Sequence, residues 1–214
     1  MTSLIMLGYE SENNLVKKRM DLIKNWEPQN EVWSLRHGNK IIAGIAFING
    51  MIINSIFRHK LKLHHNGAKM TTLFLTLAPS STSYLCHQFF ILNKILIREP
   101  HCLICEELKA ISFLQANSLL YSLIISPAIN IGIAGNIGYR VPYIREGKEL
   151  FKLWWSIVKP HSKIISFLFI SNTIVGGIVT YLQILSMQNL TNIIIKLHEY
   201  IDNKKVENMK WEIS

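Results

Sequence analysis

The chain has 214 residues, 49% of them apolar and only 17% charged, with a mean hydropathy of +0.21. Soluble domains carry about 25% charge, and the apolar residues here gather into long blocks between basic loops, so the weaker reading is a soluble domain and the stronger an all-α polytopic membrane protein. A net charge of +9, from 23 Lys and Arg against 14 Asp and Glu, suits nucleic acid or an anionic membrane. Without finger spacing, a basic helix running into heptads or an aromatic RNA-binding pattern, it points to the lipid bilayer and to no nucleic acid.

Residues 1–40 form a polar N-terminal segment. Within it, Leu15, Leu22 and Trp26, flanked by Val16, Met20 and Ile23, predict an amphipathic helix from about Asn13 to Trp26, stopped by Pro28. Neither a secretory signal nor a clean mitochondrial presequence is present, because Glu10, Glu12, Asp21, Glu27 and Glu31 interrupt the stretch, so mitochondrial import would rest on internal signals.

Residues 41–185 read as a membrane domain of four transmembrane helices. The expected spans are Ile41 to Phe57, Met70 to Leu92, Ile111 to Ile137 and Ile164 to Leu185. Pro79 and Pro127 predict kinks in the second and third, where neighbouring hydroxyls can meet the backbone carbonyls that proline frees. Residues 186–214 complete the chain as a short amphipathic helix on Leu190, Ile193, Ile194 and Leu197, then a charged tail. The first and third loops hold ten Lys and Arg, including Arg58, Arg140 and Lys159, against three in the middle loop. By the positive-inside rule they face the cytosol or matrix, with both termini and the middle loop opposite.

The proposed spans contain no Asp, Glu, Lys or Arg, which argues against a proton relay or ion pathway. Their polar groups are amides and hydroxyls, notably Asn49, Asn54, Asn117, Asn130 and Asn172. Small residues four apart accompany them, with Gly50, Gly132, Gly138 and Gly177 the glycines of those pairs. Such faces suit packing within the bundle or docking onto another membrane protein. Cys102 and Cys105 form a C-x-x-C in the middle loop, open to a disulfide, thiol exchange or free thiols. His87 and His101 lie at no recognised zinc spacing. Glu106 and Glu107 beside the pair disfavour a nucleophilic thiolate. No hydrolase, phosphate-cradling or metalloprotease motif is present, so neither catalysis nor a cofactor is expected. Asn189-Leu190-Thr191 fits a glycosylation sequon, which matters only in the secretory pathway.

With these residues in view, the chain resembles the transmembrane protein 126 family of small mitochondrial inner-membrane proteins. Asn54-Ser55-Ile56-Phe57-Arg58 is similar to the motif closing that family's first span, and Cys102 and Cys105 to its C-x-x-C. Tyr121, Pro127, Asn130 and Gly132 echo its third span, and Trp154 with Lys159-Pro160 its approach to the fourth. The likeness covers about residues 40–185, with departures at His59, at His101 and in the placement of the third-span proline. It implies a multi-pass, non-catalytic scaffold of the mitochondrial inner membrane. Its implied partners are membrane-arm subunits and assembly factors of respiratory complex I. The rival expectations are a stoichiometric complex I subunit, a membrane thiol oxidoreductase acting through the C-x-x-C, and a secretory-pathway adaptor.

Overall fold

A chain that crosses lipid must satisfy its backbone polar groups internally, and a helix does so within one segment. In a computed structural model the described residues are 14–63, 67–97, 102–137 and 147–213, with side chains described to 201 and at 203 and 204; every regular element among them is helical. Helix α1 covers 14–24 and α2 covers Gln29–Lys60. Helix α3, Ala68–Cys86, continues through a π-helical turn at His87–Leu92 into α4, Asn93–Ile97. Helix α5, Leu103–Leu114, continues through a second π turn at Gln115–Leu120 into α6, Tyr121–Asn136. Helix α7, Gly147–Val158, leads through a 3-10 turn at Lys159–His161 into α8, Ser162–Ile213.

Three helical runs are long and apolar enough to cross a membrane: Gln29–Lys60, Leu103–Asn136 and Gly147–Ile201. The expected second span does form helix, within Ala68–Ile97. It is not among these three, because Thr76, the run Ser80 to Ser83, His87 and Gln88 dilute its apolar content.

Two apolar clusters close the ends of the bundle. At one end Ile23 of α1 packs with Val32 and Leu35 of α2, Ile91 and Leu92 of the first π turn, Ile95 and Leu96 of α4, Ala110 of α5, and Ile184, Met187 and Leu190 of α8. Arg19 of α1 also donates to the Leu96 carbonyl. At the other end Ile53 and Phe57 of α2 meet Leu119, Leu123, Ile157 and Leu168. The C-terminus of α2, the N-termini of α3 and α8, and helix α7 therefore share one end, which is the basic one. Between 58–69 and 147–163 the described residues include eight Lys and Arg and a single acid, Glu149.

Two boundaries differ from the sequence reading. The separate amphipathic C-terminal helix is instead a continuation of the fourth span: α8 runs unbroken for 52 residues, about 78 Å at 1.5 Å per residue. Residues 162–213 hold no proline, and the only glycines, Gly176 and Gly177, are tolerated within the helix, so nothing in the sequence stops it. Helix α2 likewise begins at Gln29 rather than Ile41, and its buried Ser34, Gly38 and Asn39 belong to the bundle rather than to a polar segment outside it.

Candidate functional site

The amides and hydroxyls of the helices meet in three polar layers. In the layer nearest the N-terminal helix, His87 Nε2 and Gln183 Oε1 are 2.9 Å apart, and Gln183 Nε2 donates to the Ser34 carbonyl and to Asn39 Oδ1, both at 3.3 Å. Asn39 donates to Gln88, whose Nε2 donates to Asn93 Oδ1 at 3.1 Å. Gly38 permits this approach, since a Cβ there would lie 2.4 Å from Gln183 Nε2. In the middle layer Asn49 Nδ2 donates to Asn172 Oδ1 at 2.7 Å. Asn172 Nδ2 donates to Ser118 Oγ at 2.9 Å and to Gln115 Oε1 at 3.2 Å. In the third, Asn130 Nδ2 donates to Asn54 Oδ1 at 3.0 Å, and Asn54 Nδ2 donates to Thr72 Oγ1 at 3.1 Å. Interhelical bonds of this kind contribute about 0.6 kcal/mol each on average. Their larger effect is to fix register, because a misaligned pair leaves polar atoms in an apolar medium. Each π turn inserts polar groups here: His87 and Gln88 from the first, Gln115 and Ser118 from the second.

Both in-helix prolines free a carbonyl four residues back, and a neighbouring element meets each one. Pro127 frees the Leu123 carbonyl, which accepts the Trp154 indole Nε1–H at 3.0 Å. Two landmarks far apart in sequence are thus one bonded unit. Pro79 frees the Leu75 carbonyl, which points at Gly50: a Cβ on Gly50 would lie 2.3 Å from that oxygen. The close approach suits a weak Cα–H···O contact. The hydroxyls expected to meet freed carbonyls bond elsewhere. Ser80 donates to Ala43 on α2 at 2.9 Å, and Thr82 to Ala78 and Pro79.

The small residues divide accordingly. Gly50 is a close-packing site, whereas Gly132 is exposed and a Cβ there meets nothing within 4 Å, so of its two expected roles it does not pack within the bundle. Gly177 has ordinary room, 3.7 Å from Ile111, and the tighter neighbour is Gly176, at 3.4 Å. Gly38 and Gly176 were not singled out by small-residue spacing, which cannot tell an inward from an outward face. Gly138 and Arg140 lie outside the described residues. Arg58 donates to Thr71 Oγ1 at 2.9 Å across the α2–α3 end, and Lys159 is exposed in the 3-10 turn.

Cys102 and Cys105 are disulfide-bonded with Cα atoms 5.3 Å apart, while Cys86 is free. Cys102 caps α5, its Sγ accepting the Cys105 N–H at 3.2 Å, and both cysteines are exposed. The acid that follows them is neutralised: buried Glu106 accepts from Lys94 at 2.7 Å and Lys109 at 3.0 Å. Among the described residues no three His, Cys, Asp or Glu gather as a metal site would require.

The family described as transmembrane protein 126 matches residues 14–196. A fruit-fly relative, from Drosophila melanogaster and itself named transmembrane protein 126, is 31% identical over 153 residues, spanning 70% of this chain and 69% of its own. No solved structure matches.

Proposed function

Because this chain belongs to the transmembrane protein 126 family, we propose that it is a non-catalytic, multi-pass scaffold of the mitochondrial inner membrane that assists assembly of the membrane arm of respiratory complex I. Family membership carries the reading. In support, the family-like landmarks Asn54, Asn130, Pro127 and Trp154 all sit at joints between helices. They fix how the helices pack against one another.

In this reading Ala68–Ile97 also crosses the membrane, as the second of four spans. Its outer face presents Met70, Leu73, Phe74, Leu77, Leu85, Phe89 and Phe90, and no charge occurs between Lys69 and Lys94. The exposed apolar faces of α3 and α8 contact lipid and, during assembly, partner helices. The basic end faces the matrix, and the disulfide faces the intermembrane space together with α1 and the extension of α8.

The test is native-gel mass profiling of mildly solubilised mitochondria with and without depletion of the protein. Comigration with partial membrane-arm species, which stall on depletion, is the expected result. Comigration with the mature complex would make it a subunit, and migration alone with complex I untouched would refute the reading.

The exposed disulfide favours one second reading, a membrane thiol oxidoreductase. Such chemistry ordinarily relays electrons through a second cysteine pair, and only Cys86 remains. Cys102→Ser leaves function intact in the scaffold reading and abolishes it in the other.

A further inference from the structure

A cavity of about 800 Å³ lies between the C-terminus of α2 and the N-terminus of α3, at the basic end. Its lining is of two kinds. Arg58, His59 and Lys62 supply cationic or hydrogen-bonding nitrogens, Asn54 and Thr72 supply an amide and a hydroxyl, and Met51 supplies an apolar flank that is itself exposed on the outside of the bundle.

The depth of this cavity in the membrane follows from helix α7 at the same end. Phe151 stacks on both Trp154 and Trp155 there, with Phe151 62% and Trp155 51% exposed, while Lys148 and Lys152 on the same helix reach solvent. Tryptophan beside lysine is the pattern of the membrane–water boundary. Ile157 of α7 packs in one cluster with Phe57, the residue before Arg58. The cavity therefore opens at headgroup level, with cations at its polar side and Met51 toward the hydrocarbon.

We infer that this cavity is a binding site for the phosphodiester headgroup of an anionic phospholipid. A phosphate oxygen accepts charge-assisted bonds from the Arg58, Lys62 and His59 nitrogens, and the Thr72 hydroxyl and Asn54 amide add neutral donors. The first acyl carbons lie along Met51. A free phosphate uses the same polar groups but leaves the apolar flank uncovered. Basic pockets between membrane helices suit anionic headgroups for the same physical reason.

The experiment uses the full chain, purified in mild detergent, delipidated and reloaded with phosphatidylglycerol, phosphatidylcholine or inorganic phosphate. Bound lipid is counted by native mass spectrometry and thermal unfolding is followed in parallel. Phosphatidylglycerol is expected to be retained and to raise the unfolding temperature, whereas phosphatidylcholine and inorganic phosphate do neither. The variant His59→Gln/Lys62→Gln leaves the Arg58 bond to Thr71 in place and is expected to lower retention. Losing the Lys62 charge beside an anionic headgroup gives about a fivefold loss, and losing the His59 donor adds to it. Lys148→Gln/Lys152→Gln on α7 removes two charges outside the cavity and is expected to leave retention unchanged.

Equal retention of phosphatidylcholine overturns the inference, as does an equal loss in the α7 variant. Inorganic phosphate that stabilises as well as the lipid overturns the lipid assignment. The wild-type comparison of the two lipids decides even if a variant fails to fold, and failure here leaves the assembly reading standing.

Discussion

Replacing Trp154 by Phe removes one N–H and keeps most of the ring. The Leu123 carbonyl then loses the donor that replaced the one Pro127 lacks. Leu123 is only 9% exposed, so the oxygen has little access to water, and an unsatisfied buried acceptor costs about 1–3 kcal/mol. The smaller ring adds a packing loss, which a double-mutant cycle separates. Pro127→Ala restores a backbone N–H four residues after Leu123, so in that background Trp154→Phe costs only the packing part. The expected coupling is about 1–2 kcal/mol. For a chain of this size that corresponds to about 2–8 °C of unfolding temperature. The assay is far-ultraviolet circular dichroism of the four proteins in one detergent at one heating rate. An equal temperature loss from Trp154→Phe in both backgrounds would refute the claim that indole and proline act as one unit.

Gly50→Ala forces α2 and α3 apart at the Leu75 carbonyl. It is expected to cost about 1–3 kcal/mol, whereas Gly44→Ala and Gly132→Ala, which meet nothing within 4 Å, are neutral or stabilising by thermal unfolding. Asn130→Leu leaves Asn54 Oδ1 without its donor. Paired with Asn54→Leu it should show a coupling of about 0.6 kcal/mol, up to about 1.7, in denaturation titrations. Lys94→Met/Lys109→Met strands the buried Glu106 carboxylate, and thermal unfolding should fall and then recover when Glu106→Gln is added; no recovery would show that the ion pairs do not neutralise this site. Maleimide applied to the denatured, unreduced chain should label Cys86 alone, and all three cysteines only after reduction.

Much of the candidate surface was legible in the chain itself. Asn54, Asn130 and Gly50 stood out because a polar or very small residue in a charge-free apolar run needs a partner or a close neighbour, and the bundle supplies both. Gly132 stood out for the same reason and faces outward. Gln183 lies near the end of an apolar run, where nothing in the sequence marks it as inward, yet it is fully buried against His87 and Asn39. The two π turns left no trace in the pattern of apolar residues, since one inserted residue in an otherwise helical run shifts the face by about 100° without changing composition.

What the sequence determined by itself is what the bilayer enforces on any chain. Long charge-free runs become helices because lipid offers their backbones no other hydrogen-bond partners, and the basic residues fall between the runs because their charges cannot stay in hydrocarbon. Only the tertiary structure decided which of several amides pair, which glycine is crossed closely, and which element meets each proline's orphaned carbonyl. These partners lie far apart along the chain, 76 residues for Asn130 and Asn54 and 31 for Trp154 and Leu123. Composition and local spacing carry no information about which two distant faces meet; that is settled when the helices pack and every buried polar group must find its complement at once.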